Sequence, residues 1–473
     1  MSIRLRLWLI ILLAATLRLG RSACRWEEWA WRYSAYPGPT ADALQTGDIG
    51  TAITRWTGLH PPLWPLLHAA TEIVLPVPAL WLLAGAAAGT AGVAFVARRR
   101  PLAGLLLATS PVALHYTAEI NDYPLLFLFT CAIWFLREEV AEGRTHWGWL
   151  ALVGSLAGWT HALGGLVAAV AAGSLGMRRG ARVLGAMVVA SVPLVPGLLA
   201  LAAEGGTTAQ PPFKAGLVLS DLARRFGPAG LLLLPFVARA IPGARALGAG
   251  LVIPALALLV LIGTGVAAPH QFPYLLVLIV PGTMLAAAGA TGPRMRRALI
   301  GVAMVHAIWS LSDSLTRIRE IASDPEHRAI DHAIEQIGPG WQCPEGSPGE
   351  PGCAGEALVL LSGGGGNDDD KTRTSPVLWR LPPWQRMHRL SGAPGDWHDH
   401  RRGHARRVGQ HATYVFEHVR PELRDVFTTH ARSWVVVYGD GPRQRFLTEL
   451  KALGAPAPVR VGDDHLLIVV PDP

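Results

Sequence analysis

Glu27 and Glu28 stand side by side in Trp26-Glu27-Glu28-Trp29-Ala30-Trp31, just beyond the first apolar run of the chain. A carboxylate in that position can act as a general base, taking the proton from an attacking hydroxyl or amine. Further polar groups recur at the ends of later apolar segments: His60 in His60-Pro61-Pro62-Leu63-Trp64, then Glu119, Asn121, Asp122 and Tyr123 after His115-Tyr116, then His161 in Trp159-Thr160-His161. Lys214 follows Gln210-Pro211-Pro212-Phe213, and His270 and Tyr274 frame Gln271-Phe272-Pro273. Ionisable side chains at membrane depth are costly and usually functional, so acidic groups at several helix ends point to one shared cavity. Each also has a plainer account. Glu119 and Asp122 would be favoured by the dipole at a helix start, Lys214 could snorkel from a loop, and the indoles suit an interfacial belt. His60 and His161 read as hydrogen-bonded interface histidines as readily as ligands.

Membrane-spanning helices must position these groups. Arg4 and Arg6 precede the apolar run at about residues 7 to 20, and basic residues stay cytoplasmic, so the first helix runs outward. The later basic connectors are Arg98-Arg99-Arg100, Arg137 to Arg144, Arg178-Arg179 with Arg182, Arg239 to Arg245, and Arg294-Met295-Arg296-Arg297. Each follows an even-numbered span, whereas the acidic and histidine motifs follow odd-numbered ones. About eleven spans result, ending near residue 313 with the C-terminal region outside. Arg18 and Arg21 stand where a signal peptide would carry small residues for cleavage, which favours an uncleaved anchor.

An apolar fraction of 51% with only 16% charged residues, and a mean hydropathy of +0.31, suit a polytopic membrane protein. The net charge of +8 resides largely in the arginine connectors and an arginine-rich tail, and no nucleic-acid-binding motif accompanies it. Of the four cysteines, Cys131 lies in an apolar run and Cys24 in the first outer loop. Cys343 and Cys353 flank the turn-rich Pro344-Glu345-Gly346-Ser347-Pro348-Gly349-Glu350-Pro351-Gly352, where an oxidising exterior would allow a local disulfide.

Composition changes near residue 313. Strand-like strings appear at 357–361, 434–438 and 465–470, alternating with helical patterns at 324–337 and 442–453. The expected fold class is therefore a polytopic α-helical membrane domain over 1–313 and a small extracytoplasmic α/β domain over 314–473. An irregular excursion at about 362–412 holds Gly363 to Gly366, which sit in no strand-to-helix pattern carrying the Lys-Ser/Thr of a phosphate-binding loop. It also holds His398, His400 and His404, among arginines that would repel a metal cation.

Taken in order, the acidic pair, His60-Pro61-Pro62-Leu63-Trp64, Ser110-Pro111 leading to Tyr116 and Glu119 to Tyr123, and Trp159-Thr160-His161 resemble the GT-C membrane glycosyltransferases. The resemblance is to the dolichyl-phosphate-mannose protein mannosyltransferase and aminoarabinose lipid A transferase type, covers about residues 1 to 310, and extends to Pro281 after Phe272-Pro273-Tyr274. Three positions depart from that family. Its Asp-Glu pair is Glu27-Glu28 here, the arginine of its Glu-x-Arg-x-Tyr is replaced by Asn121, and its late Arg-Tyr becomes Pro273-Tyr274.

The resemblance implies transfer of a sugar from a polyprenyl-phosphate carrier to a lipid, glycan or protein acceptor, with inversion, on the outer side of a bacterial inner membrane. Glu27 would match the catalytic base, with Glu28 beside it. His60, Glu119, Asn121, Asp122, Tyr123, His161, Lys214, His270 and Tyr274 would bind substrate. No cofactor is required by the pattern, and a divalent cation stays open. A transporter or flippase of lipid-linked sugars would instead show repeat halves and ionisable residues in broken mid-membrane helices, and no internal repeat is visible. A catalytically silent scaffold is the other alternative, because of the missing arginines.

Overall fold

The computed structural model describes residues 2–23, 47–54, 61–74, 78–118, 121–203, 230–263, 272–323 and a set of short C-terminal strands, together with a few isolated residues. Two compact units are distinguished. One comprises Met1–Arg25, Asp48–Leu67 and Ala79–Thr316; the other comprises Trp26–Gly47, His68–Pro78 and Arg317–Pro473.

The helices in chain order are α1 (Ile3–Ala23), α2 (Ile49–Thr54), α3 (Leu63–Val74), α4 (Pro78–Arg99), α5 (Pro101–Thr109), α6 (Pro111–Thr117), α7 (Tyr123–Ala141) and α8 (Trp147–Thr160). They continue with α9 (Ala162–Gly173), α10 (Met177–Ser191), α11 (Val195–Ala203), α12 (Leu234–Ala240), α13 (Arg245–Gly263), α14 (Leu276–Gly289) and α15 (Pro293–Ser323). Proline at the first helical position starts α5, α6 and α15, where its missing N–H has no intrahelical partner to lose. Ser110 separates α5 from α6, its hydroxyl accepting from the Ala113 N–H at 3.4 Å. The apolar stretch from Pro101 to Thr117 is thus two short helices joined at a capped break.

Among the described residues, four segments are long and apolar enough to cross a bilayer: Leu80–Arg99, Met177–Leu199, Arg245–Ile262 and Pro293–Thr316. Ala162–Gly173, Gly230–Gly243 and Leu276–Gly289 are apolar but shorter. Large apolar side chains face outward on several helices, among them Val188, Val189, Leu256, Leu259, Met304 and Ile308. Water would not tolerate that much contiguous apolar surface, whereas hydrocarbon would.

Inside the bundle, α14 packs against α5, α6, α7, α12 and α13, while α8 packs against α7, α9 and α10. The fully buried Trp134 of α7 lies so close to Gly250 of α13 that a Cβ there would sit 2.1 Å from the indole. Small residues let membrane helices approach to this degree.

The C-terminal strands are β1 (Glu356–Leu361), β2 (Thr413–Phe416), β3 (Arg432–Val437), β4 (Val459–Arg460) and β5 (Leu466–Val469), in the order β2-β1-β3-β5-β4. β1 pairs in parallel with β2 and β3, and β5 runs antiparallel to β3 and β4. The three apolar strings of the sequence form β1, β3 and β5. Their near-continuous Val and Leu content suits strands covered on both faces. The helical pattern at 324–337 and the excursion at 362–412 lie outside the described residues.

Candidate active site

Five of the residues picked out by sequence are described, and three of them meet. Tyr123 opens α7, His161 separates α8 from α9, and Tyr274 lies in a single 3₁₀ turn, Phe272–Leu275, ahead of α14. Their rings form a line, with centroids 6.5 Å apart from Tyr123 to His161 and 5.1 Å from His161 to Tyr274. Tyr116, at the end of α6, continues it 5.7 Å from Tyr123, and His115 lies 4.7 Å from Tyr116. Tyr116, Tyr123, His161 and Tyr274 are all buried. Four helix ends therefore converge on one row of aromatic and imidazole rings.

Local chemistry fixes each member. The Asn121 side-chain oxygen accepts from the Tyr123 N–H at 3.0 Å, a short-range turn that delivers Tyr123 to the helix start. Asp122 is the residue before α7, and its carbonyl accepts from the Leu126 N–H at 2.9 Å. His161 caps α9, its Nδ1 accepting from the Leu163 N–H at 3.1 Å. An Nδ1 that accepts leaves the imidazole neutral with its proton on Nε2. Asn121, Asp122, Thr160 and His161 are buried, so the non-helical backbone at Asn121–Asp122 and at His161 is enclosed in protein, as membrane depth requires.

The row ends on a cation that the sequence reading used only to argue for an uncleaved anchor. Arg21, in the last turn of α1, approaches His115 Nδ1 through Nη2 at 3.0 Å. A guanidinium cannot accept, so His115 is the acceptor there. Through Nη1, Arg21 also pairs with Asp313 at 2.7 Å and donates to Ser314 Oγ at 3.2 Å, both on α15. One turn deeper, Arg18 has 0% exposure. Its Nη1 donates to the Ala14 carbonyl at 3.3 Å, and its guanidinium lies 5.6 Å from the Phe127 ring centroid. Gly89 makes the room: a Cβ there would sit 2.5 Å from Arg18 Nε. Two arginines three residues apart in an apolar helix were visible in the sequence, and their cost at membrane depth was the available signal. Asp313, 292 residues from Arg21 in the chain, carried none.

Glu27, Glu28, His60, Glu119, Lys214 and His270 lie outside the described residues, as do Cys343 and Cys353. Among the described residues no group of three or more histidine, cysteine or acidic side chains is arranged to hold a metal ion, and Cys131 is a buried free thiol.

Comparison with protein-family models finds no match, and comparison with the curated proteins finds none either. Two solved structures are similar in fold. ArnT from Cupriavidus metallidurans bound to undecaprenyl phosphate superposes with a TM-score of 0.59 at 13% identity, covering 97% of each chain. ArnT from the same organism in the apo state gives 0.54 at 14% identity over 93% of each chain. At that identity the likeness is one of architecture, and the architecture expected from the GT-C resemblance is the one found: the chain has the fold of ArnT.

Proposed function

We propose that this chain is an integral membrane glycosyltransferase that takes a sugar from a polyprenyl-phosphate carrier and passes it, with inversion, to an extracytoplasmic acceptor. The observation that carries the reading is the row from Arg21 through His115, Tyr116, Tyr123 and His161 to Tyr274, built from separate helix ends in a fold shared with a protein bound to undecaprenyl phosphate. Rings and neutral imidazoles suit a sugar, whose faces stack on aromatics and whose hydroxyls exchange hydrogen bonds. Arg18 gives this end of the bundle a positive charge from α1, and Arg21, whose charge Asp313 balances, adds a guanidinium donor. That offers an answer to the arginines missing at Asn121 and Pro273.

Eleven segments then cross the bilayer: α1, α4, α5 with α6, α7, α8, α9, α10 with α11, α12, α13, α14 and α15. The arginine connectors lie in the cytoplasm, and residues 314–473 form an extracytoplasmic α/β domain. Glu27 is the general base and Glu28 orients the acceptor. His60, Glu119, Lys214 and His270 complete the binding surface, with Lys214 and His270 toward the leaving phosphate.

Analysis of lipid-linked sugars by mass spectrometry tests this reading. Cells lacking the protein should accumulate one polyprenyl-phosphate sugar, and Glu27→Gln should reproduce that accumulation with turnover lowered roughly 10²- to 10⁴-fold. Unchanged lipid-linked pools and wild-type transfer by Glu27→Gln would exclude it. Lost movement of a lipid-linked sugar with no transferred product would indicate a transporter.

A further inference from the structure

Away from the ring row, α7, α9 and α13 enclose an open cavity of about 670 Å³ among the arginine connectors. Its polar end carries Arg137, Ser174 and Arg245; Val170, Ala249 and Ile253 contribute to its apolar wall. Arg137 is held there by two bonds to the residue that ends α9: Nε donates to Ser174 Oγ at 2.8 Å and Nη2 to the Ser174 carbonyl at 3.2 Å. Its Nη1 makes no hydrogen bond among the described residues, and Arg245 is exposed at the first turn of α13.

Among the described residues, the acids at the end of α7 pair with other arginines, although the charge of Glu138 also acts on Arg137. Glu138 pairs with Arg100 at 2.7 Å, Glu139 with Arg99, and Glu142 with Arg99 and Arg144. Arg179 donates to the Val140 carbonyl at 2.8 Å, adding a further positive charge on the adjacent helix end. The cavity is thus a cationic mouth over an apolar groove. Ile253, eight residues beyond Arg245, lies about 12 Å along the helix axis at 1.5 Å per residue.

We propose that this cavity is a binding site for one anionic phospholipid of the leaflet on the arginine-rich side, with its phosphate between Arg137 and Arg245 and an acyl chain along α9 and α13. Charge complementarity selects a headgroup of net negative charge over a zwitterionic one, whose phosphate is balanced by its own cation. The apolar wall selects a lipid over a free anion, which would leave that surface uncovered. The site is separate from the transferase reading and stands whether or not Glu27 is a base.

Native mass spectrometry of the full chain in detergent, titrated with cardiolipin or phosphatidylethanolamine, provides the test. The wild type should bind one cardiolipin at least tenfold more tightly than phosphatidylethanolamine. Arg245→Gln, an exposed change that leaves the Ser174 bonds intact, should weaken cardiolipin about fivefold, and Arg137→Gln with Arg245→Gln about twentyfold or more. Ala249→Trp, which fills the groove and keeps both arginines, should also abolish tight binding, while Arg297→Gln on another connector should have no effect. Equal binding of the two lipids, unchanged binding in Arg245→Gln and Ala249→Trp, or displacement of cardiolipin by millimolar inorganic phosphate would each overturn the proposal.

Discussion

Arg21 is the residue on which the candidate site depends most. It joins α1 to α15 through Asp313 and Ser314 and abuts His115 at the end of the ring row, only six residues before Glu27. Removing either partner of the pair strands a charge that is largely withdrawn from water, so Arg21→Met or Asp313→Asn should each lower stability by about 2 kcal/mol. The double variant should lose less than the sum, with a coupling of about 1 kcal/mol or more in thermal unfolding of the detergent-solubilised protein. Strict additivity would mean that the pair is not formed. The sequence exposed the types of Tyr123, His161 and Tyr274 but not their adjacency, because tilted and edge-on contacts between rings from separate elements depend on where each element begins.

Helices rather than strands dominate the element scale because long apolar runs must satisfy every backbone N–H and C=O internally. Several are interrupted where chemistry is proposed: α5 from α6 at Ser110, α8 from α9 at His161, and the turn at Phe272–Leu275 before α14. The alternation of arginine connectors with acidic and histidine motifs makes a direct forecast about sidedness. Cysteines introduced at Ser34, Thr208 and Ser375 should react with a membrane-impermeant reagent applied from outside, and those at Gly143 and Gly292 should not. Protection at Ser375 with labelling at Gly292 would reverse the orientation. Arginine clusters were legible because they are local in sequence. The break at Ser110 was marked by Ser110-Pro111, a capping residue before a first-turn proline, but a count of spans by apolar length alone passes over it.

At the scale of the whole molecule, the strand order β2-β1-β3-β5-β4 draws together pieces as distant as Glu356–Leu361 and Leu466–Val469. A disulfide between Cys343 and Cys353 would close a short loop ahead of β1. Intact-mass measurement without reductant should find the oxidised pair, reduction should lower stability by at most about 3 kcal/mol, and two free thiols in freshly isolated protein would rule the bond out. Composition alone determined that most of this chain is a bundle of apolar helices followed by a more polar strand-bearing region. Burial in lipid and burial in a sheet leave signatures in residue type and period that need no partner to be read. Only the tertiary structure decided that Arg21 meets Asp313 and His115, that Tyr116, Tyr123, His161 and Tyr274 form one row, and that Arg137 and Arg245 share a cavity. Except for Tyr116 and Tyr123, these are meetings of groups tens to hundreds of residues apart, fixed by how helices of given length and small-residue content pack. No local pattern in a single sequence encodes such packing.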